Sequence, residues 1–197
     1  MNDSQVDELL YQALETELGG VEIYRKAIEC AVNDDLEKEW KKYLSETEEH
    51  VRIVKSIFVD LELDPNKATP GREIVRMKGK GLVQAMDKAL AAGDPTQAQL
   101  VAAECVVEAE TKDHANWELI GHVAEKSSGP RSKVLAEAYA QVEEEEDEHL
   151  YHTMGWAREL WIEALGLPAV LPPPEEKKSV KTAIGASRAE QARDDML

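Results

Sequence analysis

Four long segments of this 197-residue chain repeat apolar residues with the period of an α-helix, and this pattern limits the possible folds more than any other feature. The segments cover about residues 4–31, 35–63, 95–126 and 130–165. The chain has many Ala, Glu, Leu and Lys residues, a single Phe and few alternating β-branched residues. The sequence therefore predicts an all-α protein built from four long amphipathic helices.

Helix-breaking and capping residues mark where these helices begin and end. Asn33-Asp34 separates the first two segments, Asp64-Pro65 ends the second, and Asp94-Pro95 begins the third with an N-cap and a first-turn proline. Residues 64–93 are interrupted by prolines and glycines, which predicts irregular chain around a short helix near residues 82–92. A connection of this length can carry the chain from one end of a bundle to the other.

The chain divides into one predicted domain and a tail. Residues 1–166 are enough for a single buried core and are predicted to form the domain. Three consecutive prolines at residues 172–174 favour an extended, polyproline-like conformation in the tail. Residues 167–197 are therefore predicted to form an extended C-terminal arm that packs on the bundle or on a neighbouring subunit.

Ionisable residues stand in the apolar stripes where leucine or alanine would be expected. They are Glu17, His50, Glu110, His114 and His149, with Glu146 one helical turn before His149. No stripe contains Lys or Arg, so a buried carboxylate there needs another cation. Carboxylates and imidazoles on facing helices suit two ions of iron or manganese. The alternative is a polar layer of Glu–His hydrogen bonds and water with charged histidines.

The two halves of the chain repeat this arrangement. Tyr24 follows Glu17 by seven residues, and Trp117 follows Glu110 by seven. Each pair of helices thus offers an inward glutamate and then an inward histidine on the antiparallel partner. Two such pairs that face each other would bring these groups into one cluster.

Composition excludes several classes of function. The net charge of -17 and the pI near 4.7 argue against nucleic acid or an anionic membrane as a partner and favour cations. Cys30 and Cys105 form no CxxC pair, so no disulfide framework and no rubredoxin-type site is encoded. No apolar run approaches the roughly 20 residues of a membrane span. We expect a cytoplasmic protein.

The positions of these residues resemble a known metal-binding pattern. They are Glu17 with Tyr24, His50 in the segment 45–50, Glu110 with Trp117, and the Glu-x-x-His motif of Glu146 and His149. Over about residues 4–166 the chain resembles the ferritin-like diiron-carboxylate superfamily, most of all its rubrerythrin-like members. The resemblance implies an antiparallel four-helix bundle with a long crossover between the second and third predicted helices.

The resemblance also implies the ligands and the chemistry of the site. It implies two iron ions, with manganese as an alternative, held by Glu17, Glu46, His50, Glu110, His114, Glu146 and His149. Family members usually carry a glutamate three residues before the histidine of the second helix, but this chain has Thr47 there. Glu46 is the expected substitute, and His114 is a further candidate one turn after Glu110.

The implied activity is that of a peroxidase or ferroxidase that uses peroxide or dioxygen. An external electron donor is expected, because the chain has no rubredoxin cysteines. Tyr24 and Trp117 would lie close to the metals as candidates for electron transfer, or as ordinary core aromatic residues. Two other functions stay open, namely a scaffold that retains little chemistry and a diiron hydroxylase of an organic or RNA-borne substrate.

The aromatic residues and the tail bear on assembly. One bundle does not readily cover the aromatic surface of Trp40, Trp156 and Trp161. The proline-rich arm is long enough to reach a second subunit. We therefore expect a homodimer or a larger homo-oligomer.

Overall fold

The computed structural model describes residues 1–169, and five α-helices contain most of them. They are α1 (Asp3–Cys30), α2 (Asp34–Asp60), α3 (Pro70–Ala91), α4 (Pro95–Lys126) and α5 (Pro130–Ala164). No strand occurs among residues 1–169, so the predicted all-α class is confirmed. The prediction of an extended arm falls almost entirely on residues outside this range.

Side-chain caps fix three of the helix starts. The side chain of Asn33 accepts hydrogen bonds from the backbone of Asp35 and Leu36 at the start of α2. Asp94 accepts one from the backbone of Gln97, with Pro95 as the first residue of α4, as the sequence predicts. These local signals therefore fix the starts of α2 and α4.

Contacts near the helix ends give the directions of the bundle helices. The backbone of Val32, just after α1, bonds to Gln99 near the start of α4 at 2.7 Å, so α1 and α4 are antiparallel. Lys42 near the start of α2 pairs with Glu148 in the second half of α5 at 2.9 Å, so α2 and α5 are also antiparallel. The short turns after α1 and α4 make the sequential pairs antiparallel as well.

Helix α3 is longer than the sequence predicts. It begins at Pro70, capped by Thr69, whereas the sequence indicated a short helix near residues 82–92. Only Arg72 and Met86 are buried on this helix, so most of its side chains stay at least partly exposed. α3 packs on the outside of α1 and α4 and carries the chain back along the bundle. The crossover is thus largely helical.

A buried ion pair ties α3 to the bundle. Arg72 Nε lies 2.7 Å from Glu15 Oε2, and Arg76 Nε lies 2.7 Å from Glu15 Oε1. Glu15 is 7% exposed, so it is a buried carboxylate whose charge is matched by two guanidinium groups. The sequence does not predict this pair, because its members come from helices that are not consecutive.

The apolar core is divided into two parts along the bundle. One part surrounds the end of α1 and contains Tyr24 together with Trp40 of α2 and Trp156 of α5. The other part surrounds the start of α1 and contains Leu10 together with Phe58 of α2. The inward ionisable residues lie between the two parts. This division leaves a polar layer in the middle of the bundle.

The structure buries two of the three tryptophans from which a dimer was predicted. Trp40 and Trp156 are 0% and 3% exposed within a single chain. Only Trp161 is substantially exposed, and its indole nitrogen donates a hydrogen bond to Glu104 at 2.8 Å. Assembly therefore remains a prediction that rests on the arm and on Trp161.

Within residues 1–169, none of the helices has both the length and the hydrophobicity that a membrane span requires.

Candidate metal centre

Six buried ionisable side chains meet in the middle of the bundle, and all four bundle helices contribute. They are Glu17 on α1, His50 on α2, Glu110 and Asp113 on α4, and Glu146 and His149 on α5. Each is at most 4% exposed. We refer to these six residues as the central cluster. Four carboxyl groups and two imidazoles in an apolar surrounding are costly unless a cation joins them.

The two histidines and Glu146 form one side of the central cluster. His50 Nδ1 lies 3.0 Å from Glu146 Oε1, and His149 Nδ1 lies 3.8 Å from the same oxygen. The imidazole rings stack with centroids 5.6 Å apart. These three residues each offer one ligand atom, all within 4.8 Å of one another. This spacing can surround a single metal ion.

Glu146 also belongs to a second group on the other side. Glu17, Asp113 and Glu146 each offer a carboxylate oxygen, again within 4.8 Å of one another. Glu146 therefore belongs to both groups and would be available to an ion in either one. Asp113 was not among the predicted ligands, although it lies one turn after Glu110. This is the same i, i+3 spacing that Glu146 and His149 show.

Hydrogen bonds from outside orient the ligand atoms inward. His50 Nε2 bonds to Glu145 Oε2 at 2.7 Å, and His149 Nε2 bonds to Glu46 Oε2 at 3.1 Å. Such contacts fix the ring orientation and leave each Nδ1 directed at the cluster. Glu46 is thus placed at the outer nitrogen of His149, and it belongs to neither of the two ligand groups.

The two predicted aromatic residues lie beside the ligands. Trp117 donates a hydrogen bond from Nε1 to Glu17 Oε1 at 2.7 Å, and its ring centroid lies 6.4 Å from that of His50. The ring of Tyr24 lies 6.1 Å from that of His149. Both side chains are at most 1% exposed. They contact the cluster directly and are positioned to orient its ligands.

His114, a predicted ligand, and Thr47, at the position of the missing glutamate, do not point into the central cluster. His114 Nε2 bonds to Asp147 Oδ1 at 2.8 Å on the outer side of the bundle, and the structure does not bring it into the ligand groups. The Thr47 hydroxyl donates to the backbone oxygen of Tyr43 at 2.9 Å. Its methyl group lies 3.2 Å from the position that a Cβ on Gly20 would occupy. Thr47 therefore fills space between α1 and α2 and offers no ligand.

Unpaired polar atoms mark the interior of the central cluster. Buried side-chain atoms without a well-formed hydrogen bond include Glu17 Oε2, His50 Nδ1, Glu110 Oε2, Asp113 Oδ1, Glu146 Oε2 and His149 Nδ1. Buried polar groups normally find partners, so six such atoms in one place require an explanation. Oxygen and imidazole nitrogen atoms of this kind are the ligands that iron and manganese accept. The residues present therefore fit a metal site.

Burial also changes how the carboxyl groups hold protons. It raises the pKa of Glu17, Asp113 and Glu146 well above the ordinary values, and repulsion among the neighbouring carboxylates adds to this effect. Burial raises the pKa of Glu110 to about 7. A cation in the cluster would replace the protons that these groups otherwise retain.

The pKa of His149 bears on whether the histidines of the central cluster carry a charge. Burial lowers this pKa, and the hydrogen bond to Glu46 opposes that shift only in part. A polar layer with a charged His149 is therefore disfavoured. The neutral imidazole is the form that binds a metal ion.

A small cavity connects the cluster to the surface. It has a volume of about 180 Å³ and is lined by His114, Trp117, Glu118, Tyr139, Glu143, Glu146 and Asp147. Glu146 belongs to the central cluster, whereas Glu118 and Glu143 lie at the surface. The acidic residues at this opening favour the entry of cations.

Comparison of the chain with protein-family models, curated proteins and solved structures found no match. These comparisons therefore identify no family for this chain.

Proposed function

We propose that this chain is a ferritin-like, rubrerythrin-like oxidoreductase that holds two iron ions in the central cluster and reacts with peroxide or dioxygen. The observation that carries the proposal is the convergence of four buried carboxyl groups and two imidazoles, in which six buried oxygen and nitrogen atoms lack a well-formed hydrogen bond. Manganese fits the same ligands. The proposed activity is that of a peroxidase or ferroxidase with an external electron donor.

The division of the ligands supports two ions and not one. Glu146 belongs both to the group with His50 and His149 and to the group with Glu17 and Asp113. A carboxylate shared in this way suits a bridge between two cations, which a dinuclear centre requires. Iron bound there would supply the electrons for reducing the oxidant.

The surrounding residues of the chain orient the ligands and manage protons. Trp117 fixes one oxygen of Glu17 through its indole hydrogen bond and leaves Oε2 unpaired. Burial raises the pKa of Glu110 to about 7 in the metal-free protein, so this carboxyl group can release its proton near neutral pH when a metal ion binds. Tyr24 lies beside Glu110 and acts to lower that pKa.

The size of the opening supports a small oxidant. The cavity that reaches Glu146 measures about 180 Å³, less than the roughly 300–1,000 Å³ typical of organic-ligand pockets. Peroxide and dioxygen fit such an opening, whereas a large organic substrate does not. The hydroxylase alternative is therefore less well supported.

The directions of the helices support the ferritin-like arrangement. α1 and α2 are antiparallel, α3 returns along the bundle, and α4 runs antiparallel to α1. This order matches a bundle with one long crossover between its second and third members.

Thr47 supports a second candidate, a scaffold with a degenerate site. Its hydroxyl group is bonded to the backbone of Tyr43 and provides no carboxylate at the position where related motifs carry glutamate. A protein of this kind would keep the bundle and bind little or no iron. Metal content separates this candidate from the proposed oxidoreductase.

The test is peroxide consumption by protein that has been loaded anaerobically with ferrous ion. We expect the iron-loaded protein to consume peroxide in the presence of a reductant. His149→Ala should lower the rate of peroxide consumption by roughly tenfold or more. Loss of a residue that merely hydrogen-bonds to a metal ligand already lowers metal affinity or activity by about that factor. His122→Ala is the matched control, since His122 is an exposed histidine of α4.

Two outcomes would count against the oxidoreductase. Protein that binds no iron under these conditions would favour the scaffold. Protein that binds iron but consumes neither peroxide nor dioxygen faster than free ferrous ion would contradict the proposed chemistry while leaving the metal site intact.

A further inference from the structure

A second and larger cavity lies between α1, α3 and α4. Its volume is about 730 Å³, which falls within the range of small-molecule binding sites. The side chains of Thr16 and Lys112 line it, whereas the adjacent Glu17 and Asp113 belong to the central cluster. The cavity thus lies against the outer side of the metal centre without including any of its ligands.

Apolar side chains from all three helices form most of its walls. They are Ile23, Ile74, Val75, Leu82, Val107 and Ala109. Ile74 is 52% exposed, a large fraction for an apolar side chain on a helix that packs against the bundle. An apolar surface of this kind is suited to the apolar part of a ligand.

Glycines line the cavity on both α1 and α3. A Cβ added at Gly79 would lie 3.9 Å from the Cα of Gly19, so α1 and α3 approach closely at this point. A Cβ added at Gly19 itself would meet nothing within 4 Å. The volume beside Gly19 is therefore open and can be filled by substitution without a clash at Cβ.

Two lysines give the cavity a positive charge in a strongly acidic chain. Lys112 is half-buried, and its ammonium group donates a hydrogen bond to the amide oxygen of Asn116. Lys78 lines the same cavity from the exposed side of α3. Within residues 1–169, neither lysine forms an ion pair, although the chain carries a net charge of -17.

The carboxylates of the cavity do not neutralise these lysines. Both oxygens of Glu15 are bonded to arginines of α3. Glu108 is exposed and forms no ion pair with Lys112, although it lies one turn before it on α4. The two ammonium groups are therefore available to an anion.

A polar wall separates the cavity from the central cluster. Asn116 accepts a hydrogen bond from Lys112 and donates one to Thr16 Oγ1 at 3.0 Å. Thr16 in turn donates to the backbone oxygen of Gln12 at 2.8 Å. The oxygen and the nitrogen of the Asn116 amide are both hydrogen-bonded, and the residue is 0% exposed, so its position is fixed. A ligand in the cavity would contact this wall and not the metal ligands.

We propose that this cavity binds a small organic anion with an aliphatic body, of the medium-chain carboxylate class. The anionic group lies at Lys112 and Lys78, and the aliphatic chain lies along Ile23 and Leu82. This site is distinct from the metal centre, because none of its lining residues belongs to the central cluster.

The test is calorimetric titration of the full-length, metal-free protein with decanoate below its micellar concentration. Decylammonium is the matched probe with the same aliphatic body and the opposite charge. We expect decanoate to bind with a stoichiometry of one and decylammonium not to bind. A chelator in all solutions removes any contribution from metal, so failure here is distinct from failure of the metal site.

Variants assign the binding to the cavity. Lys112→Met keeps the aliphatic stem and is expected to raise the Kd for decanoate roughly tenfold, the usual worth of a hydrogen bond to a charged group. Lys78→Met should have a smaller effect because Lys78 is exposed. Lys80→Met is the matched control, since Lys80 is an exposed residue of α3 that does not line the cavity.

Filling the cavity provides a second, charge-independent test. Gly19→Phe should abolish decanoate binding, whereas Gly19→Ala should retain it, with circular dichroism to establish that both variants are folded. Absence of decanoate binding to the unaltered protein would overturn the proposal. Equal binding of decylammonium, or unchanged affinity in both Lys112→Met and Gly19→Phe, would do so as well.

Discussion

Replacing Glu110 by glutamine is expected to stabilise the metal-free protein at alkaline pH, although it removes a proposed metal ligand. Glu110 is 3% exposed, and its Oε2 has no hydrogen-bond partner. Burial raises its pKa from 4.5 to about 7, while Tyr24 and His50 act in the opposite direction. Glutamine has nearly the same shape and cannot ionise. The substitution therefore removes the cost of a buried charge at the same position.

The sign and size of the effect follow from the pKa of Glu110. Between pH 4.5 and about 7 the folded protein retains a proton that the unfolded chain has released, so the free energy of unfolding falls as pH rises through this window. The shift from 4.5 to about 7 corresponds to roughly 3 kcal/mol, at about 1.36 kcal/mol per pKa unit. Glu110→Gln should match the unaltered protein near pH 4.5 and exceed its stability by roughly 3 kcal/mol near pH 8.

Urea denaturation with a chelator present, at about pH 5 and about pH 8, measures this difference. Glu108→Gln is the matched control, because Glu108 is exposed on the same helix two residues earlier. The control should show no comparable gain at either pH. A gain in Glu110→Gln that is the same at both pH values, or a loss at pH 8, would refute the reasoning from a buried, proton-holding carboxyl group.

Three further predictions concern the ligands, the uptake of metal and the ion pair of α3. His149→Ala should abolish one of two metal-binding steps, and Glu46→Ala should weaken that same step roughly tenfold because Glu46 orients His149. Anaerobic calorimetric titration with ferrous or manganous ion measures both effects. Metal affinity should rise with pH between about pH 6 and pH 8, since the buried carboxyl groups must release protons; titration in buffers of different ionisation enthalpy counts those protons, and release of none would contradict the pKa shifts. Arg72→Met should lower the free energy of unfolding by about 2 kcal/mol, because Glu15 loses one of its two guanidinium partners, whereas the exposed Arg52→Met should change it little.

The four bundle helices were predictable because their signals are local. Apolar residues at the helical period and caps such as Asn33 and Asp94 lie within each segment. Helix α3 was underestimated because Gly79 and Gly81 interrupt its pattern and only two of its residues are buried. Its position is determined by contacts with α1 and α4, including the pairing of Arg72 with Glu15, and a pattern within one segment does not contain that information.

The candidate site was predictable where a polar residue interrupts an apolar stripe. Glu17, His50 and Glu110 were found in this way, and the structure buries them together. Asp113 was missed because His114, at the adjacent position, was assigned to the stripe. Residues three and four positions apart both lie near the same helix face, so the sequence alone does not choose between them. The packing of α4 against α5 turns Asp113 inward and leaves His114 at Asp147.

The most direct test of the metal centre is anomalous X-ray diffraction from crystals grown anaerobically with ferrous ion, with data collected on both sides of the iron absorption edge. We expect two anomalous peaks roughly 4 Å apart, the separation typical of two-metal sites, with Glu146 between them. One peak should lie beside His50 and His149, and the other beside Glu17 and Asp113. Crystals that contain excess ferrous ion but show no anomalous peak among these side chains would contradict the metal centre.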